Sequence, residues 1–323
     1  MTTPETEITP RPQRKISILR LLGTLLSIGL LIWLIEREGW DAIKSAVTEI
    51  SWWNLVLVLF LTFVSRFAVT GRWHVLLRSG GVPIQLRESI RLVFAGLFAS
   101  NFLPTTVGGD LIRFAGAVRL HYDAAICAAS LVMDRLVGMV GMLTVFPIGV
   151  ARLLSMPLPP LPTGGYSGGL AMAVSLSGIW KWVWSKVQKL FRSTMHALRL
   201  WATHPRDLFN AYLFTLMHMA ALFATVWLIL HDLGQPINFW QVAGLWSLSY
   251  LVTLLPISIN GLGVQELSLT FLFTNYGGLS VESVAVMAIL IRLLQMAASL
   301  PGAIFVPALI QPEAPPAAPE TPA

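Results

Sequence analysis

Charged side chains make up only 12% of this 323-residue chain, about half of what soluble domains carry. A water-exposed globular domain is therefore excluded as the main architecture. Cysteine is almost missing: Cys127 stands alone, which excludes an internal disulfide and a cysteine-based metal site. No His-x-x-x-His or His-Glu-x-x-His spacing occurs among the six histidines, so no metal is expected. "GGYSGG" at 164–169 is glycine-rich but lacks the Lys and Ser/Thr of a phosphate loop, and no cofactor is expected. No nucleic-acid motif accompanies the net charge of +6. The alternating pattern of a β-barrel is also missing.

What is present is apolar. Hydrophobic residues reach 55% and the mean hydropathy is +0.70. Several runs approach the roughly 20 residues that cross a bilayer. The expected fold is all-α and polytopic. Apolar segments lie at 16–35, 52–71, 89–103, 125–150, 165–182, 208–230, 239–256, 264–276 and 283–310. Residues 1–15 and the Pro/Ala-rich 311–323 read as disordered tails. The membrane domain then runs from 16 to 310, with a first half at 16–182 and a second at 208–310. Between them, 183–207 alternates basic residues with Trp and Leu, as a helix lying on the membrane surface does.

Short basic loops orient the chain. Arg11, Arg14, Lys15 and Arg20 place the N-terminus in the cytoplasm, and Arg72, Arg78, Arg87 and Arg91 mark the next inside loop. The block from Lys181 to Arg206 is also expected inside. Three apolar segments lie between those two inside loops, and an odd number of crossings would put the block outside. The short segment 89–103 is therefore expected to be one leg of a re-entrant hairpin. It breaks at "LPTTVGGD" and returns through "DLIRFAGAVRLHY". A related break, "LLPISINGLGVQE", falls at 254–266. Each has Leu-Pro, a hydroxyl residue, close glycines and then an acid. The expectation is about six full transmembrane helices plus two re-entrant hairpins in a weak inverted repeat, the sequence pointer to a transporter with a midplane site.

Broken backbone at membrane depth is tolerated only against protein or a water-filled cavity, and free N–H groups at a new helix start favour anions. The candidate substrate-binding residues of the first break are Asn101, Pro104, Thr105, Thr106, Gly108, Gly109, Asp110 and Arg113. Pro256, Ser258, Asn260, Gly261, Gly263 and Glu266 are their counterparts in the second. Asp134, Arg135 and Arg292 sit inside apolar runs, where ionisable residues face the protein interior or an aqueous path. They either bind substrate or pair with the hairpin acids to hold helices together. Arg66, near the end of its apolar run, is expected to snorkel, and His218 to pack or hydrogen-bond. No catalytic constellation is recognisable.

The motifs "NFLPTTVGGDLIR", "SLVMDRLVGM" and "LLPISINGLGVQE", in this order, resemble the transmembrane region of lysylphosphatidylglycerol synthases, which also occurs alone in flippase-like membrane proteins. The likeness extends from about residue 16 to 310. It implies movement of a phospholipid or lipid-linked headgroup between leaflets of the cytoplasmic membrane. Membrane lipids are the implied partners, with a homo-oligomer or a lipid-biosynthesis enzyme as further possibilities. The aminoacyl-transferase domain of the bifunctional synthases has no counterpart in the Pro/Ala tail, so the expectation is a non-enzyme. A membrane-embedded enzyme acting on a headgroup and a non-transporting scaffold subunit are the alternatives.

Overall fold

The computed structural model describes residues 50–102, 108–155, 201–253 and 264–306. The segments expected at 16–35 and 165–182, both tails and most of the amphipathic block lie outside the described residues. Among those described, every element is helical: α1 Trp52–Ser79, α2 Leu86–Phe102, α3 Gly108–Arg119, α4 Ala124–Ser155, α5 Pro205–Asp232, α6 Phe239–Thr253, α7 Val264–Asn275 and α8 Val281–Ser299, followed by a 3-10 turn at Leu300–Ile304. Four stretches are long and apolar enough to cross a membrane: α1, α4, α5, and α8 together with its 3-10 turn.

Local chemistry sets the boundaries. Asp123 accepts a hydrogen bond from the Ile126 amide at 2.8 Å at the start of α4, and Ser280 accepts from the Ser283 amide at the start of α8, both as N-caps do. Glu88 accepts from the Gln85 amide at 2.8 Å and closes the first turn of α2. Pro205 opens α5, where its missing N–H costs nothing.

The order of helices repeats. α1 and α5 are both 28 residues long. Each is followed by a turn through a glycine of positive φ, Gly81 at 92° and Gly234 at 68°. Then come two short helices of 17 and 12 residues in the first half, and of 15 and 12 in the second. A second left-handed residue follows, His121 or Gly278, and then a long helix, α4 or α8. At about 1.5 Å per residue, none of the short helices spans the roughly 30 Å hydrocarbon core.

The two units are inverted. The Asn54 amide donates to both Asp232 oxygens at 2.7 and 2.9 Å. At the other end, the Trp201 indole donates to the Leu76 carbonyl and the Ser79 hydroxyl at 3.0 and 2.9 Å. α1 and α5 are therefore antiparallel. The first hairpin has its base at the Ser79 end, where the Tyr122 hydroxyl donates to Glu88 at 2.7 Å. The second has its base at the Asn54 end, where Gln235 bonds Ser280 and Ser283 and Arg152 donates to the Tyr276 carbonyl. One core cluster, with Trp73, Leu77, Leu92 and Val93, lies in the first unit; a larger one centres on Phe223, Leu245, Phe273 and Met287 of the second and takes in Val58 of α1 and Met142 of α4. Phe60, Phe67, Phe209 and Phe271 point outward, as lipid-facing residues do.

Two expectations need correction. α1 does not stop near Gly71 but runs on to Ser79, so Arg66 lies at its midpoint, about 20 Å from either end, and is not a snorkelling terminal residue. Arg72 is not a loop charge. It is buried inside the protein.

Candidate functional site

Asp110 is the third residue of α3 and Glu266 the third of α7. Each lies nine residues from the far end of its leg, about 14 Å of helix, which is close to half the hydrocarbon thickness. Each is bound by an arginine of the long helix that follows. The Arg135 Nε donates to Asp110 Oδ2 at 2.8 Å, and the Arg292 Nε donates to Glu266 Oε1 at 2.9 Å. The separations are 25 and 26 residues. The matching position, partner and spacing make these two pairs the chemical signature of the repeat.

The first pair belongs to a longer array. Arg72 of α1 donates through Nε to Asp134 Oδ1 at 2.7 Å and through Nη1 to the Thr215 hydroxyl of α5 at 3.3 Å. The other Asp134 oxygen accepts from Arg113 Nη2 at 3.1 Å. Arg113 Nη1 reaches Asp110 at 3.3 Å, and its guanidinium carbon sits 4.3 Å from the Trp73 ring centroid, within cation–π range. Asp110 then binds Arg135 through both Nε and Nη2. The order is Arg72, Asp134, Arg113, Asp110, Arg135, alternating in sign. Side-chain exposure runs 9%, 5%, 9%, 21% and 64% along it. The ladder is dry at one end and open at the other. Three arginines against two aspartates leave one positive charge, and the most accessible cation is Arg135.

Such an array survives at membrane depth because each buried charge has a partner of opposite sign. Asp134 shows this most plainly: both of its oxygens are taken by arginines.

Glu266 is buried. Arg292 holds it through two nitrogens, the second at 2.6 Å, and Nη2 also reaches Gln265 Oε1 at 3.4 Å. One to two turns further along α8 the first hairpin makes contact. The Asn101 amide, at the end of α2, donates to the Ser299 hydroxyl at 3.0 Å and reaches the Gln295 carbonyl at 3.5 Å. α8 thus touches both hairpins close to their breaks.

Gly108 and Gly109 are buried where α3 begins. A Cβ on Gly109 would run into the Ser100 hydroxyl and lie 2.7 Å from the Gly96 carbonyl oxygen. A Cβ on Gly96 would lie 2.7 Å from the Gly109 carbonyl oxygen. The two legs meet backbone to backbone, so leg packing accounts for Gly109 without a headgroup pressed against it. Of the other expected site residues, Pro104, Thr105, Thr106, Pro256, Ser258, Asn260, Gly261 and Gly263 lie outside the described residues. Asp110, Arg113, Asp134, Arg135, Glu266 and Arg292 all take part in the two polar groups above, and Asn101 bonds α8 beside them. Sequence reasoning missed Arg72, Thr215 and the Trp73 face. The signal for Arg72 was an uninterrupted helical stretch, "GRWHVLLRS", with no proline or glycine cluster before Gly80.

Among the described residues no group of His, Cys, Asp and Glu is arranged to hold a metal ion. No curated protein matches the chain. The family model of the lysylphosphatidylglycerol synthase TM region matches residues 20–302, most of the length, and the chain is a multi-pass membrane protein that belongs to this family.

Proposed function

We propose that this protein moves a phospholipid or lipid-linked headgroup between the leaflets of the cytoplasmic membrane, and that it is not an enzyme. The observation that carries the reading is the ladder, which ends in an accessible arginine with one uncompensated positive charge beside a broken hairpin. A phosphodiester carries one negative charge, and a guanidinium fork suits its oxygens. The acyl chains would stay in lipid while the headgroup enters between the hairpins. The inverted pair of broken hairpins supports alternating access around a midplane site. Among the described residues, the concentration of Arg78, Arg87, Arg119 and Arg206 at the Ser79 end, against Arg152 at the other, supports a cytoplasmic Ser79 end. Catalysis on a headgroup is disfavoured because both oxygens of the buried Asp134 carboxylate are already bound by arginines.

The test is reconstitution into liposomes with fluorescent lipids that differ in headgroup, followed by reduction of the outer-leaflet label. Leaflet exchange is expected for at least one phosphate-bearing lipid and should be lost in Asp110→Asn. No exchange with any headgroup, from protein that remains folded, would sink the proposal.

A further inference from the structure

Arg66 stands apart from every ion pair described above. It lies at the midpoint of α1 and is partly buried. Its Nε is buried without a hydrogen-bond partner. It lines a cavity of about 10 Å³ with Thr62, Ser65, Thr225, Ile291 and Gln295, at the junction of α1, α5 and α8. That volume suits a single water or one oxygen of a larger group. The cavity has hydroxyls, but they already donate elsewhere. Thr62 and Thr225 donate to the Val58 and Ala221 carbonyls at 2.7 and 2.9 Å, and Ser65 is bonded to His218 at 2.7 Å. None of them supplies a negative charge.

A like charge adds to the cost, since Arg292 of α8 repels Arg66. Among the described residues the carboxylates of the two polar groups are engaged elsewhere, Glu266 by Arg292 and Asp134 by Arg72 and Arg113. One positive charge is left over, as on the ladder. A lone cation at mid-membrane is costly. A group kept at such a cost, aimed into a cavity among three spans, calls for an anion.

We infer that Arg66 is a second, deeper anion station, which accepts one oxygen of a phosphodiester at the bilayer midplane. The inference rests on the proposed lipid movement and deepens it. Arg135 captures the phosphate at the mouth of the ladder, and Arg66 receives it at mid-depth, each offering one unit of uncompensated charge. Only one oxygen need enter the cavity, while the rest of the headgroup stays outside it.

The experiment uses detergent-purified full-length protein with two probes, short-chain phosphatidylglycerol below its micelle concentration and inorganic phosphate. Affinity is read from saturable shifts in melting temperature. Wild type and Arg66→Lys are expected to bind the short-chain lipid, with binding at least tenfold weaker in Arg66→Gln. Unliganded Arg66→Gln should melt higher than wild type, because it no longer carries the unpaired charge. Lipid binding by Arg66→Gln equal to wild type, or a lower melting temperature of the unliganded variant, would overturn the inference. Equal stabilisation of wild type by inorganic phosphate would overturn the lipid as the source of the anion. Failure of leaflet exchange in liposomes with Arg66-dependent lipid binding intact would count against the transport reading and leave the station standing.

Discussion

Asp134 and Arg135 are neighbours in sequence yet sit at different levels of the ladder, because adjacent helical residues point about 100° apart. Asp134 turns inward to Arg72 and Arg113, and Arg135 turns outward to Asp110. This division gives opposite expectations for two similar substitutions. Asp134→Asn leaves two arginines short of a buried carboxylate and should destabilise by about 3–5 kcal/mol, seen as a lower melting temperature in detergent. Asp110→Asn, nearer the open end, should cost about 1 kcal/mol and keep expression near normal while leaflet exchange is lost. A fully active Asp110→Asn would reduce that acid to a structural role. Outside the membrane, Tyr122 carries a titration. Burial first, and then its hydrogen bond to Glu88 and that residue's charge, push its hydroxyl up to about 12. A raised pKa means that the folded state holds the proton more tightly. This contribution is complete below pH about 10 and fades as pH climbs towards the folded value. Tyr122→Phe should flatten alkaline unfolding over that window, and an unchanged alkaline profile would refute the assignment.

Each hairpin was legible as an element because a Leu-Pro, close glycines and an acid interrupt an apolar run, a combination with few bland explanations at membrane depth. The register of α1 was not legible. Hydropathy falls after Gly71 although the helix does not, so Arg66 and Arg72 were assigned to the edge of the membrane when the fold puts them inside it. The reason for Gly109 was also hidden, since nothing in "VGGDLIR" shows that Gly96, 13 residues earlier, lies against it. The contact predicts that Gly109→Ala forces α2 and α3 apart, at a cost of about 1–3 kcal/mol. In an ordinary helix interior the same change would stabilise by up to about 1 kcal/mol. Gly96→Ala should behave alike. The double variant should fall short of the sum, because the two glycines share one contact. A more stable Gly109→Ala would mean that the legs do not meet as described.

At the scale of the molecule, the inverted arrangement was suggested by charge counting and by a loose likeness between two breaks. The chain expresses it more exactly through the paired acids and arginines and the antiparallel α1 and α5. Cysteines introduced at Gly234 and Ser280 should react with an impermeant reagent from one side of the membrane, and those at Gly81 and Asp123 from the other. Labelling of all four from the same side would contradict the topology. The position of α8 carries a further implication. One stiff rod holds Asn101 of the first hairpin through Ser299 and Glu266 of the second through Arg292. A tilt that draws the rod away from one hairpin must press or pull on the other, so the two entrances cannot open independently. For a lipid carrier that mechanical linkage is a safeguard. Under the proposed lipid movement it would work as a seesaw that keeps a passage for headgroups from becoming a leak for ions.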